Sequence, residues 1–110
     1  MTHYRVVFRR EALQQLEDLY DFIADAGSPA NAAGFAESIV TFCEALSDFP
    51  YRGVAREDLR PGLRTIGFRK RVVIAFVVLE ETVAIIGVFY GGRDHEQILL
   101  DSNERADPPV

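Results

Sequence analysis

The sequence predicts an α+β fold: an N-terminal strand, then a two-helix hairpin packed on one face of a four-stranded antiparallel sheet. Three observations predict it. First, Val72 to Leu79 is an unbroken apolar run rich in β-branched residues, and Val83 to Tyr90 is a second, interrupted only by Gly87. Both are too short to span a membrane and suit strands by length and residue type. Second, only Glu80, Glu81 and Thr82 separate them, a gap that allows a hairpin and forbids a parallel crossover. Third, residues 10–26 and the stretch from Ser28 to about Asp48 carry apolar side chains at helical spacing on either side of Gly27.

In chain order, His3 to Phe8 reads as the first strand, with Val6 and Phe8 on one face. In the first helix Leu13, Leu16, Leu19, Tyr20 and Ile23 form the apolar stripe. Glu17, Asp21 and Asp25 form an acidic stripe on another face, read as a solvated surface rather than a metal site. Gly27 stops this helix; Ser28 as N-cap and Pro29 at the first helical position start the next. The connection is so short that the pair must fold back as a hairpin. Phe35, Ile39, Phe42 and Leu46 make the second helix's stripe, flanked by Ala36, Val40 and Cys43.

Residues 49–62 hold two Pro and two Gly and read as a loop. Leu63 to Phe68 is a weaker strand joined to the next by a tight turn at Arg69-Lys70. Counting directions through these elements places the first strand antiparallel to either edge of the three-stranded meander. The domain spans residues 1–100, with a short apolar turn at Ile98 to Leu100. Residues 101–110 are mostly polar, close on Pro108-Pro109-Val110 and read as a flexible tail.

Along the run Val72 to Leu79 both faces are apolar, whereas an antiparallel sheet with one wet face should alternate. Two helices cover one face. The other calls for a cover from a second chain.

The chain has 110 residues, enough for one domain and one modest core. The start MTHYRVVFRR holds no apolar segment of signal-peptide length, which points to the cytoplasm. The single cysteine, Cys43, lies on an apolar helix face and reads as a buried, inert thiol. The net charge of −5 conceals a segregation. Residues 11–48 carry eight acids and no Lys or Arg, while residues 49–71 carry six Arg and one Lys against Glu57 and Asp58. The overall charge argues against a dedicated polyanion binder, but a local basic patch remains. No metal or cofactor site is called for.

The order of these pieces resembles the RelE/ParE toxin superfamily of bacterial type II toxin–antitoxin systems, closest to the ParE or plasmid-stabilisation branch. The resemblance runs from about Tyr4 to Leu99. It rests on Tyr4-x-Val6-x-Phe8, on Ala12-Leu13-x-x-Leu16-x-x-Leu19-x-x-Phe22-Ile23, and on Leu46-x-x-Phe49-Pro50. Further on come Pro61-Gly62-Leu63-Arg64, Arg71-Val72-Val73-Ile74-Ala75-Phe76 and Val83-Ala84-Ile85-Ile86-x-Val88-Phe89-Tyr90-Gly91-Gly92-Arg93-Asp94. Three positions depart from the pattern. Arg9-Arg10 stands where the family often has a Ser or Thr cap, Tyr90 where it often has His, and Gly92-Arg93 where many members carry two Arg.

The resemblance implies a cognate antitoxin that wraps the toxin, and a target. For ParE-like members that target is DNA gyrase or another topoisomerase, with nucleic acid involved only indirectly. RelE-like members resemble ribosome-dependent mRNA endonucleases, and a non-toxic binding module of the same fold is a third reading. A nuclease needs groups for proton transfer and cations for the developing charge. Tyr90 or His95 would serve the first need, and Arg64, Arg71 and Arg93 the second. Arg itself is no base at neutral pH. The acidic net charge and the single Lys70 favour a contact poison over a ribosome-bound enzyme, because attraction to RNA grows with positive charge. The expected contact set for target or antitoxin is Arg52, Arg56, Arg64, Arg69, Arg71, Tyr90 and Arg93.

Overall fold

A computed structural model describes residues 3–91 and 96–100. The expectations for Arg93, His95 and the tail 101–110 lie outside the described residues. The elements are β1 (Arg5–Phe8), α1 (Arg10–Ala26), α2 (Pro29–Glu44) with a 3-10 turn at Ala45–Ser47, β2 (Val54–Ala55), β3 (Leu63–Phe68), β4 (Val72–Val78) and β5 (Thr82–Tyr90). Residues 96–100 are helical.

The helical hairpin forms as its punctuation dictates. The Gly27 N–H donates to the Ile23 carbonyl at 3.0 Å, and Ser28 Oγ accepts from the N–H groups of Ala30 and Asn31. In α1 the buried residues are Ala12, Leu16 and Leu19. Leu13, expected on that stripe, is 53% exposed, because Ala12 takes the inward position beside it. Glu17, Asp21 and Asp25 are exposed, as a solvated stripe should be. In α2 Ile39 and Cys43 are buried, while Phe42 is only partly covered, against the Phe68 ring at 4.8 Å.

The sheet has five strands in the order β1-β5-β4-β3-β2. The meander β3-β4-β5 is antiparallel, as expected. The first strand is not: β1 pairs parallel with β5, Arg5 opposite Thr82 and Phe8 opposite Ile85. The sheet is therefore mixed rather than antiparallel. The missing step in the direction count is β2, two residues inside the stretch read as loop, which runs antiparallel to β3. That extra reversal turns the meander round relative to β1, so β1 and β5 point the same way.

A second irregularity sits in β5. Ala75 faces Gly87 while Phe76 faces Ile85, so Ile86 is an extra residue in the ladder. The bulge changes the phase of the strand. Val83 and Ile85 face the helices before it, and Val88 and Tyr90 face them after it. Phe89 is thereby turned to the opposite face. Its ring folds back over Gly87, where an added Cβ would collide with it. Beside the bulge, the Val88 N–H donates to Gln15 Oε1 of α1 at 2.7 Å.

Two apolar clusters result. The larger lies between the helices and the sheet and includes Leu16, Ile39, Cys43, Ile74, Phe76 and Ile85. Each such side chain contributes about 1.5–3 kcal/mol by leaving water. The smaller lies on the other face and holds Leu59, Leu63, Ala75, Phe89 and Leu99. The expectation that this second face needs a foreign cover is thus corrected in part. Leu59 from the β2–β3 loop and Leu99 from the helical turn 96–100 bury its centre, while Val73, Val77 and Ile86 remain half-buried.

Candidate functional site

The basic stretch 49–71 is divided by the fold into three groups with different surroundings. At the hairpin tip between β3 and β4, Arg69 and Lys70 have φ of 52° and 62°. The Arg71 N–H donates to the Phe68 carbonyl at 3.3 Å. Two successive positive φ values match the tight turn that suits a twisted hairpin, a job usually given to Asn or Gly. Holding non-glycine residues there costs roughly 1–2 kcal/mol each. Arg69 offsets part of this by lying over the rings of Phe68 and Phe35, 5.0 and 5.8 Å from their centroids.

Tyr90 belongs to this end of the sheet. It pairs with Val72, and the Gly91 N–H donates to the Arg71 carbonyl at 3.0 Å. The Tyr90 ring sits between Phe22 at 5.8 Å and Phe35 at 6.3 Å. It borders a groove of about 300 Å³ that also involves Gln15, Asp18, Leu19, Phe22 and Val88. The fold thus brings Arg69, Arg71 and Tyr90 together. Phe22, 60% exposed on this groove, was not singled out from the sequence as a contact residue. The signal was present: Phe22 falls between the helical stripe positions Leu19 and Ile23.

Arg64 is elsewhere, near the start of β3 and opposite Phe76. Its guanidinium donates to the carbonyls of Arg52 and Tyr51 at 2.9 Å each and of Gly53 at 3.4 Å. It also lies 5.7 Å from the centre of the Tyr51 ring. Arg64 therefore fastens the loop before β2. Arg52 stays exposed, 5.4 Å over the Phe49 ring.

Arg56 forms the third group. It binds Asp58 in bidentate fashion, Nε to Oδ1 at 3.0 Å and Nη2 to Oδ2 at 2.8 Å. A further ion pair reaches Glu96 at 2.8 Å. These hydrogen bonds, to Asp58 first and Glu96 second, push the guanidinium pKa further up. The bonds from Arg56 in turn hold the Asp58 carboxyl below its ordinary range. Arg56 thus ties the β2–β3 loop to the turn 96–100.

Burial, helped by the Glu44 charge, pushes the Cys43 thiol up to about 12, so it is no nucleophile at neutral pH. Among the described residues, no group of three or more His, Cys, Asp or Glu is placed to hold a metal. No helix among them is long and apolar enough to cross a membrane.

The strand–hairpin–sheet architecture recurs in a solved structure of the chromosomal ParDE TA system from P. aeruginosa. The match has a TM-score of 0.71 at 21% identity and covers 81% of this chain and 97% of that one. At that identity the likeness speaks for the fold alone. No curated protein sequence matches the chain. Residues 6–95 match the model of a family described as the ParE toxin of type II toxin–antitoxin systems, parDE. That span takes in every strand and helix named above except the first residue of β1 and the turn 96–100, and the chain belongs to the ParE toxin family.

Proposed function

We propose that this ParE-family toxin arrests growth by binding DNA gyrase or a related topoisomerase, cuts no RNA, and is neutralised by a cognate antitoxin. One observation carries the choice between contact and cleavage. The Tyr90 ring is wedged between Phe22 and Phe35, while Arg64, one of the cations a nuclease would gather around it, is spent elsewhere. Arg64 is fastened to the carbonyls of residues 51–53. The Arg71 carbonyl accepts from the Gly91 N–H, which sets the Arg71 backbone next to Tyr90. Transition-state stabilisation requires donors converging on one developing charge, and the Arg64 guanidinium is turned to backbone carbonyls instead. Exposed Arg52, Arg69 and Arg71 suit contact with an acidic protein surface instead. The groove at Leu19, Phe22, Val88 and Tyr90 offers the antitoxin an apolar seat beside the cationic hairpin tip.

Induction of the chain without antitoxin is expected to halt division, with filamentation and DNA-damage signalling, while bulk mRNA stays intact. Replacing Arg71 by Ala should weaken this arrest, and Tyr90→Phe should leave it in place. Codon-positioned cuts in messages on purified ribosomes, abolished by Tyr90→Phe, would instead establish the RelE-like nuclease.

A further inference from the structure

The loop before β2 exposes more apolar surface than a solvated turn needs. Phe49, Tyr51 and Val54 are 62%, 65% and 61% exposed. The loop is nevertheless held in one shape. Arg64 fastens three successive carbonyls. Gly53 has φ 76°, and a Cβ there would collide with the Thr65 carbonyl. The Tyr4 phenol is hydrogen-bonded to Tyr51, which raises its pKa. Asp48, at the loop's start, lies 3.2 Å from His3 Nδ1. Residues 48–52 line a shallow cavity of about 490 Å³. Over it stands Arg52, stacked on Phe49 and in no ion pair with any described residue.

The backbone alongside is also available. Arg56 N–H donates to Leu63 O at 2.8 Å, and the register puts Ala55 opposite Arg64. Bonded pairs alternate along an antiparallel ladder, so the N–H and C=O of Ala55 point away from β3. β2 is the last strand of the sheet, and among the described residues no strand pairs with this edge.

We propose that this loop is the surface with which the toxin grips the protein it poisons. It takes an extended segment of that protein, carrying an aliphatic side chain beside a carboxylate. The cavity between Phe49 and Tyr51 receives the aliphatic group. Arg52 takes the carboxylate as a charge-assisted pair, and Ala55 adds the backbone pairing that fixes an extended segment. Aromatic residues and Arg are the side chains that dominate contact energies. The size of the patch selects the target over the antitoxin. A stable complex covers about 800 Å² per partner, far more than three exposed side chains provide. A small patch ordered in advance loses little freedom on binding and suits a contact made and broken repeatedly. This inference rests on the reading of the chain as a contact poison.

The test has two arms. In the first, a random-peptide library on phage is panned against the full chain, and the selected peptides are titrated onto wild type, Arg52→Lys, Arg52→Glu and the double variant Phe49→Ser/Tyr51→Ser. Thermal melts confirm that each variant is folded. Selected peptides are expected to pair an aliphatic residue with Asp or Glu, to bind Arg52→Lys nearly as wild type, and to lose at least about tenfold in affinity on Arg52→Glu. Peptides without carboxylates, or binding that survives both Arg52→Glu and the double variant, overturn the docking chemistry. In the second arm the same variants are induced in cells. Arg52→Glu should restore colony formation at undiminished protein level. Full arrest by Arg52→Glu despite lost peptide binding would overturn the assignment to the target and hand the surface to the antitoxin. A wild-type chain that does not arrest growth overturns the toxin reading itself, which the first arm does not depend on.

Discussion

The two faces of the sheet are built from the same strands and buried by unlike means. On one face α1 and α2 close over Ile74, Phe76, Val83 and Ile85. The other is closed by Leu59 and Leu99, from two short segments joined through Arg56. Burial behind helices is continuous, and its removal requires unfolding. The second cover is two short segments that pack their own apolar side chains on the sheet and are joined by the Arg56–Glu96 ion pair. The sheet is therefore expected to keep its helical cover until it unfolds and to release the shorter cover at lower cost, as low-stability segments do.

The largest expected effect tests the helical side. Phe76 is fully buried, and Phe76→Ala should cost about 3–5 kcal/mol in a urea melt, a large share of a small domain's stability. A cost under about 1 kcal/mol would mean that the helix-covered cluster is not the principal core. On the other face, Leu99→Ala should cost about 2 kcal/mol, the low end for such a truncation, because the turn can undock rather than leave a cavity. Hydrogen exchange should quicken in residues 96–100 and around Phe89, while Cys43 stays as unreactive to alkylation as in the wild type. Faster alkylation of Cys43 would show that the two covers are coupled.

The smallest effect concerns the fastening. The folded pKa of Asp58 is lowered by its hydrogen bonds from Arg56. Its contribution is therefore fully present above the unfolded value, about 3.9, and is lost as pH falls through the lower folded value. Protection of residues 96–100 should fall in that acid window in the wild type, and in Asp58→Asn it should be weaker above the window and match the wild type below it. An Asp58→Asn chain with the wild-type acid profile would assign the loss to another carboxylate.

The parts legible in the sequence were those fixed by local chemistry. Gly27-Ser28-Pro29 dictated the helical hairpin, and the gap Glu80 to Thr82 dictated the antiparallel pair β4–β5. The parts that were not legible depend on distant partners. Val54-Ala55 becomes a strand only because β3 lies beside it, and those two residues reverse the sense of β1 relative to the meander. The bulge at Ile86 is hidden because every neighbouring residue in β5 is apolar, so a change of phase leaves no mark in the hydropathy pattern. The basic stretch could be counted but not sorted. Nothing local says that Arg64 turns to carbonyls, Arg56 to carboxylates and Arg69 to aromatic rings.

The parallel pairing of β1 with β5 also sets a clock. Arg5 meets Thr82, so the first strand emerges from the ribosome long before its partner is made. At about 5–20 residues per second, the wait is on the order of four to sixteen seconds. The helical hairpin, whose contacts are local, has that interval in which to form. The sheet does not, since β1 lacks its neighbour and β4 lacks one of its two until translation has passed Tyr90. Chains that stall or terminate before Tyr90 never assemble the groove that Tyr90 borders, so the helical hairpin is complete well before that surface exists.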